Sequence, residues 1–178
     1  TTSRMYLRLP FADNTTAVSA RTHEIERLRS LWGLYEVPCP AGPPHMDGIL
    51  VNDAGELWFN DRHKLSDLAG IDRVFAVELL LHKMIRQSAP KGLWFHAAAM
   101  VVSECLVLIA GNSGAGKTSL TLELLSIGAQ YVTDDTVWTN GTEWIGLARH
   151  LQFKPMHPAD RLPDRLVGRD LISLIHDD

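Results

Sequence analysis

The chain has 178 residues, 46% of them hydrophobic and 21% charged, and carries a net charge of -4. That is enough apolar material for one domain, or for one domain with a small appendage, and too much for a disordered chain. The acidic balance argues against a general nucleic-acid binder, and no apolar run reaches the roughly 20 residues needed to span a bilayer. The start, TTSRMYLRLPFADNTT, lacks the apolar core of a signal peptide, and the two cysteines, Cys39 and Cys105, make no disulfide framework. A reducing cytoplasm is the compartment expected from this.

In chain order, residues 20–32 place Ile25, Leu28, Leu31 and Trp32 at helical spacing. VPCPAGPPHMDG is a Pro/Gly-rich break. GILVNDAGELWFND gives two short β runs about Asn52-Asp53-Ala54-Gly55, a hairpin signal. The spacing predicts a helix from about Asp72 to Gln87, ended by Pro90 and Gly92. LWFHAAAMVV and CLVLIAG then form two apolar β runs joined at Ser103-Glu104, which pair as antiparallel strands. Cys105 opens the second and is expected to be a small buried hydrophobe. A helix over 117–126 stops at Gly128, AQYVTDD is the next strand, and VWTNGTEWIGL folds back at Asn140-Gly141. Beyond Arg149 lie a proline-bearing loop and a short terminal helix pattern, VGRDLISLIHDD, that ends without an obvious cap. The expected organisation is an N-terminal accessory region (1–92, a hairpin plus helices) and a core (93–178) incomplete at its C-terminal end.

Chemistry concentrates between the two apolar runs and the second hairpin. Gly111-Asn112-Ser113-Gly114-Ala115-Gly116-Lys117-Thr118 matches G-x-x-x-x-G-K-[ST] without deviation, with a strand before it and a helix after. Glycines let successive backbone N–H groups curl round a phosphate, and the following helix turns its positive end to the same anion. Lys117 reaches the outer phosphates, the Thr118 hydroxyl helps hold Mg²⁺, and Ser119 joins the nucleotide-binding set. Asp134 and Asp135 end the next strand, which a right-handed crossover lays parallel to the loop strand with both C-terminal ends at one edge. Phosphoryl transfer needs acids there for two jobs, to hold Mg²⁺ and to orient or deprotonate the attacking hydroxyl. A turn-initiating Asp-Asp is the plainer alternative.

His96 lies mid-strand among small residues. Such a histidine is ordinarily a satisfied core residue; beside the loop strand it comes near the acidic pair and assists proton transfer. Arg149, His150 and Lys154 read as solvated loop charges, with phosphate contact as the rival reading, and the remaining histidines show no zinc-ligand spacing.

The run FHAAAMVV…LVLIAGNSGAGKTSLTLELLSIGAQYVTDD resembles the catalytic domain of the bacterial HPr kinase/phosphorylase family. That family combines a histidine on a strand, a short hairpin, a G-x-S-G-x-G-K-[ST] loop, a helix ending near glycine and an Asp-Asp pair. His96, Ser103-Glu104, the loop with Ser113 inside it, Gly128 and Asp134-Asp135 occur here in that order, over about a quarter of the chain. The resemblance implies an α/β fold: a P-loop-containing mixed β-sheet flanked by helices, with a small N-terminal α+β region. It implies an ATP- and Mg²⁺-dependent serine kinase acting on a peptide or small protein. Asp134, Asp135, His96 and Lys117 are then catalytic, and Thr118, Asp134 and Asp135 face the metal. The N-terminal region departs from the regulatory domain of HPr kinases, and the later glycine-rich signature tied to phosphorolysis and HPr docking is not evident. The chain is more similar to diverged relatives that phosphorylate ribosomally made precursor peptides, such as lasso-peptide precursors. The family often assembles, so a homo-oligomer is also implied; nucleic acid and membrane are not expected partners. Two rival functions remain: a small-molecule kinase, which wants a closed apolar pocket, and a P-loop nucleotide-binding module without kinase activity.

Overall fold

The computed structural model describes residues 1–40, 46–60, 63–67 and 71–147. The chain divides into two compact units, Thr1–Pro90 and Lys91–Asp178. Together they make a mixed α/β protein with two five-stranded sheets and three α-helices among the described residues.

In the first unit the strands β1 (Thr2–Leu7), β2 (Thr15–Arg21), β3 (Met46–Val51), β4 (Glu56–Phe59) and β5 (His63–Asp67) lie side by side in chain order. Every neighbouring pair is antiparallel except β2 and β3, which are parallel. Parallel neighbours require a crossover, and helix α1 (Thr22–Trp32) supplies it. Its inward stripe is Ile25, Leu28, Leu31 and Trp32, the residues whose spacing predicts the helix. Buried Glu24 accepts the Arg21 N–H at 3.0 Å, closing the helix start. Helix α2 (Arg73–Ser88) begins at its N-cap Asp72, which accepts the N–H groups of Val74 and Phe75, and turns Val74, Val77, Leu81 and Ile85 inward. The hairpin at 52–55 forms as expected, with Gly55 at φ 82° and the Asn52 side chain bonded across the turn to Glu56. The strands β1 and β2 were not expected, so the N-terminal region is a full sheet and not only a hairpin with helices.

The second unit is built on one long strand, β6 (Leu93–Val102). A two-residue turn whose Ser103 and Glu104 both have positive φ, as a type I′ turn requires, leads into β7 (Cys105–Ala110), antiparallel along one side of β6. Helix α3 (Lys117–Ser126) follows, then β8 (Gln130–Thr133), β9 (Thr136–Thr139) and β10 (Trp144–Gly146). Both β8 and β9 pair with β6 on its other side, β8 near its C-terminal end and β9 near its start, and β10 closes a hairpin on β9. The loop strand and the acid-bearing strand do run parallel, but β6 lies between them. Every pairing in this sheet is antiparallel, so the expected mixed pairing occurs in the first unit instead. Three consecutive alanines, Ala97 to Ala99, line the crowded middle of β6 at 1% exposure or less. Under α3, Met100, Leu122 and Leu125 form a small core. Strand β7 is an edge: Leu106 and Val107 are each 37% exposed, and Cys105 is exposed instead of buried, because no further described strand flanks it.

Candidate functional site

The register of β6 with its two neighbours assembles the site. Ala97 stands opposite Ala110, the last residue of β7, so the chain turns into the glycine-rich loop level with His96. On the other side, Ala97 donates its N–H to the Asp135 carbonyl at 3.0 Å. The start of the loop and the Asp135 backbone are therefore two strand spacings apart, about 10 Å.

Gly114 and Gly116 have φ of 84° and 86°, a region that side chains rarely adopt, and Gly116 is the N-cap of α3. Residues 111–116 are exposed, and Ser119 with them; Lys117 and Thr118 are half-buried. Lys117 Nζ folds back over the loop and donates to the carbonyls of Gly111 at 2.8 Å and Asn112 at 3.3 Å. The ammonium thus lies across the concavity that the loop makes, with the N-terminus of a ten-residue helix directly behind it. Loop N–H groups, helix end and lysine together favour a multiply charged anion.

Asp134 and Asp135 do not end a strand; they form the break between β8 and β9, which run on in one line opposite β6. The pairing with β6 keeps one register through this break, with Ala99 opposite Thr133 and His96 opposite Thr136, and slips further back in β8, at Val132. Buried Thr133 holds the break: its hydroxyl donates to the Leu147 carbonyl at 2.7 Å and accepts the Asp135 N–H at 3.3 Å. Leu147 in turn donates its N–H to the Thr136 carbonyl. Asp135 Oδ2 accepts the Thr136 hydroxyl at 2.8 Å, and Asp135 Oδ1 lies 3.4 Å from His96 Nδ1. Asp134 Oδ1 accepts the Tyr131 hydroxyl at 3.1 Å. His96 is not a core histidine: its side chain is 68% exposed, against 27% for Asp135.

The structure therefore brings His96 to Asp135 and sets both level with the start of the loop. Arg149, His150 and Lys154 lie outside the described residues. The hydroxyls of Tyr131, Thr133 and Thr136 carry no sequence signal, because such residues suit any strand. Only their clustering about Asp134-Asp135, as Y-V-T-D-D-T, hints at them.

The oxygen donors near the loop, the Thr118 hydroxyl and the two carboxylates, are hard ligands of the kind Mg²⁺ prefers. Among the described residues no three acidic, histidine or cysteine side chains make a metal cage of their own. That donor set fits Mg²⁺, which usually takes one or two carboxylates and completes its shell with phosphates and water. No described helix is long and apolar enough to cross a membrane. No protein-family model matches the chain, and neither a curated protein nor a solved structure matches it.

Proposed function

We propose that this protein is an ATP- and Mg²⁺-dependent phosphotransferase of P-loop architecture that phosphorylates a serine hydroxyl on a peptide or small protein. The observation that carries the reading is the pairing of His96 with Asp135 at the level where β7 turns into the glycine-rich loop. A phosphate cradle alone reports nucleotide binding. A carboxylate joined to an imidazole beside the cradle adds a place for a proton to go.

In this reading the loop amides and Lys117 hold the β- and γ-phosphates and stabilise the charge that develops during transfer. Thr118 and the acidic pair would hold Mg²⁺, which when bound neutralises phosphate charge. The seryl oxygen attacks the γ-phosphorus, the bond to the bridging oxygen of ADP breaks, and the seryl proton passes to Asp135, which His96 and Thr136 hold in place. The exposure of His96 and of loop residues 111–116 favours an acceptor presented on a chain over a small molecule enclosed in a pocket.

The test is transfer of labelled γ-phosphate from ATP, with Mg²⁺, to serine-containing precursor peptides, to HPr and to small hydroxyl compounds. Asp134→Asn and Asp135→Asn serve as controls. Label on a peptide or protein serine, lost in both variants, supports the proposal. Label on small molecules alone, or tight ATP binding with no transfer to anything, overturns it in favour of a small-molecule kinase or a nucleotide-binding module.

A further inference from the structure

We infer that Tyr131 is a positioning residue for the acidic pair: its phenol fixes the Asp134 carboxylate in the orientation that receives the divalent cation. The inference rests on the phosphotransferase reading of the site and adds a residue to it.

Two independent features of Tyr131 carry it. The residue is anchored: it stands opposite Met100 on β6 and packs against the cluster of Met100, Leu122 and Leu125 beneath α3. Its hydroxyl lies at the other end of that anchored ring and donates to Asp134 Oδ1 at 3.1 Å. A rigid aromatic with two side-chain torsions, held by a core, is a far stiffer support for a carboxylate than solvent is. The helix that supplies this core is the one that begins with Lys117 and Thr118. Tyr131 thus links the orientation of Asp134 to the body that carries the phosphate cradle.

The two carboxylates are supported differently. Asp135 has His96 against one oxygen and Thr136 on the other, a setting suited to a proton acceptor. Asp134 has a neutral hydroxyl donor on Oδ1, and a phenol has no charge with which to repel a cation. A hydroxyl of this kind selects one rotamer of the carboxylate, as the outer partners of metal-binding carboxylates do. Removing such a partner typically weakens metal affinity or activity about 10–100-fold.

Tyr131→Phe keeps the ring in its core and deletes only the hydroxyl. Mn²⁺ replaces Mg²⁺ as a probe, and its affinity in the presence of saturating ADP is read from the electron paramagnetic resonance of the free ion. Wild type, Y131F, D134N and the double variant Y131F/D134N form one cycle, measured at a temperature at which thermal melts show all four folded. The expected result is about tenfold weaker Mn²⁺ binding in Y131F, and no further loss when Y131F is added to D134N. In transfer assays Y131F would need more Mg²⁺ for half-maximal rate, with the KM for the acceptor peptide unchanged. A purely structural role predicts a lowered melting temperature without that shift. Unchanged Mn²⁺ affinity in Y131F overturns the inference and leaves the phosphotransferase reading standing. An equal loss in the wild-type and D134N backgrounds overturns it too, since the phenol would not then act through Asp134. Failure of wild type to bind Mn²⁺ with ADP overturns the reading of the site and the inference together.

Discussion

Replacing Thr133 by valine isolates the clamp that shapes the acidic break. The side chain is fully buried and valine matches its shape, so no cavity opens. What is lost is one short hydrogen bond, 2.7 Å to the Leu147 carbonyl, and one long one, 3.3 Å from the Asp135 N–H. A buried carbonyl left without its donor costs about 1–3 kcal/mol, and the longer bond adds roughly 0.5. The sum is about 1.5–3.5 kcal/mol, a substantial share of a typical total stability of about 5–15 kcal/mol. With a urea slope of about 2 kcal/mol/M, the unfolding midpoint falls by about 1 M. Thr133→Ser keeps the hydroxyl and gives up one methyl, for about 0.8 kcal/mol. Urea titration followed by tryptophan fluorescence checks both variants, and γ-phosphate transfer checks whether Thr133→Val also slows turnover by about tenfold or more. A valine variant with the wild-type midpoint, or a serine variant as damaged as the valine one, would refute the reasoning.

Other perturbations follow from the same structure. Lys117→Ala removes the ammonium that now caps the Gly111 and Asn112 carbonyls, and transfer is expected to fall about a hundredfold or more in the labelled-phosphate assay. At Gly146 an added Cβ would meet Val132 Cγ1 at 2.5 Å and Thr133 Cγ2 at 3.1 Å, so Gly146→Ala should lower stability by about 1–3 kcal/mol by thermal melt. Asp72 caps α2 through two N–H groups, and Asp72→Ala should cost about 1 kcal/mol by urea titration. The hydrogen bond from Lys64, with those from Asn52 and Trp58, lowers the Glu56 carboxyl from 4.5 to about 2. Its folded value lies below its unfolded one, so its stabilisation is full above 4.5 and is lost as pH falls from there towards 2. Glu56→Gln should therefore flatten that part of the acid-unfolding curve.

Legibility in the sequence tracked how local the cause was. Helices α2 and α3 follow from periodicity and caps contained within a few residues, and their expected and observed bounds agree within one residue. The hairpin turns at 52–55 and 103–104 are equally local. By contrast, β2 is buried along almost its whole length, so it lacks the in-out alternation that marks a strand with one wet face. Strand β1 is identifiable chiefly through its pairing with β2. In the site, the residue types announced the glycine-rich loop and the acids, but not that Asp134-Asp135 would fall in the gap between two strands, nor that β6 would stand between them and the loop. Both depend on which strands pair, a non-local choice. The exposure of His96 has the same origin: β7 leaves the sheet one residue before reaching it, so the strand partner that would have covered it is missing on that side.

The separation of the loop from the acids is measured in backbone units, because β6 is hydrogen-bonded to a neighbour on each flank. A sheet of this kind stretches little, and it changes width only by gaining or losing a strand. Side-chain length is then the one adjustable dimension across the gap. Lengthening either acid by a methylene cannot be absorbed by the scaffold closing or opening, and an error of about 1 Å at a reacting centre can cost about a hundredfold in rate. The short reach of aspartate is in this sense part of the gauge of the site, set by the width of one intervening strand.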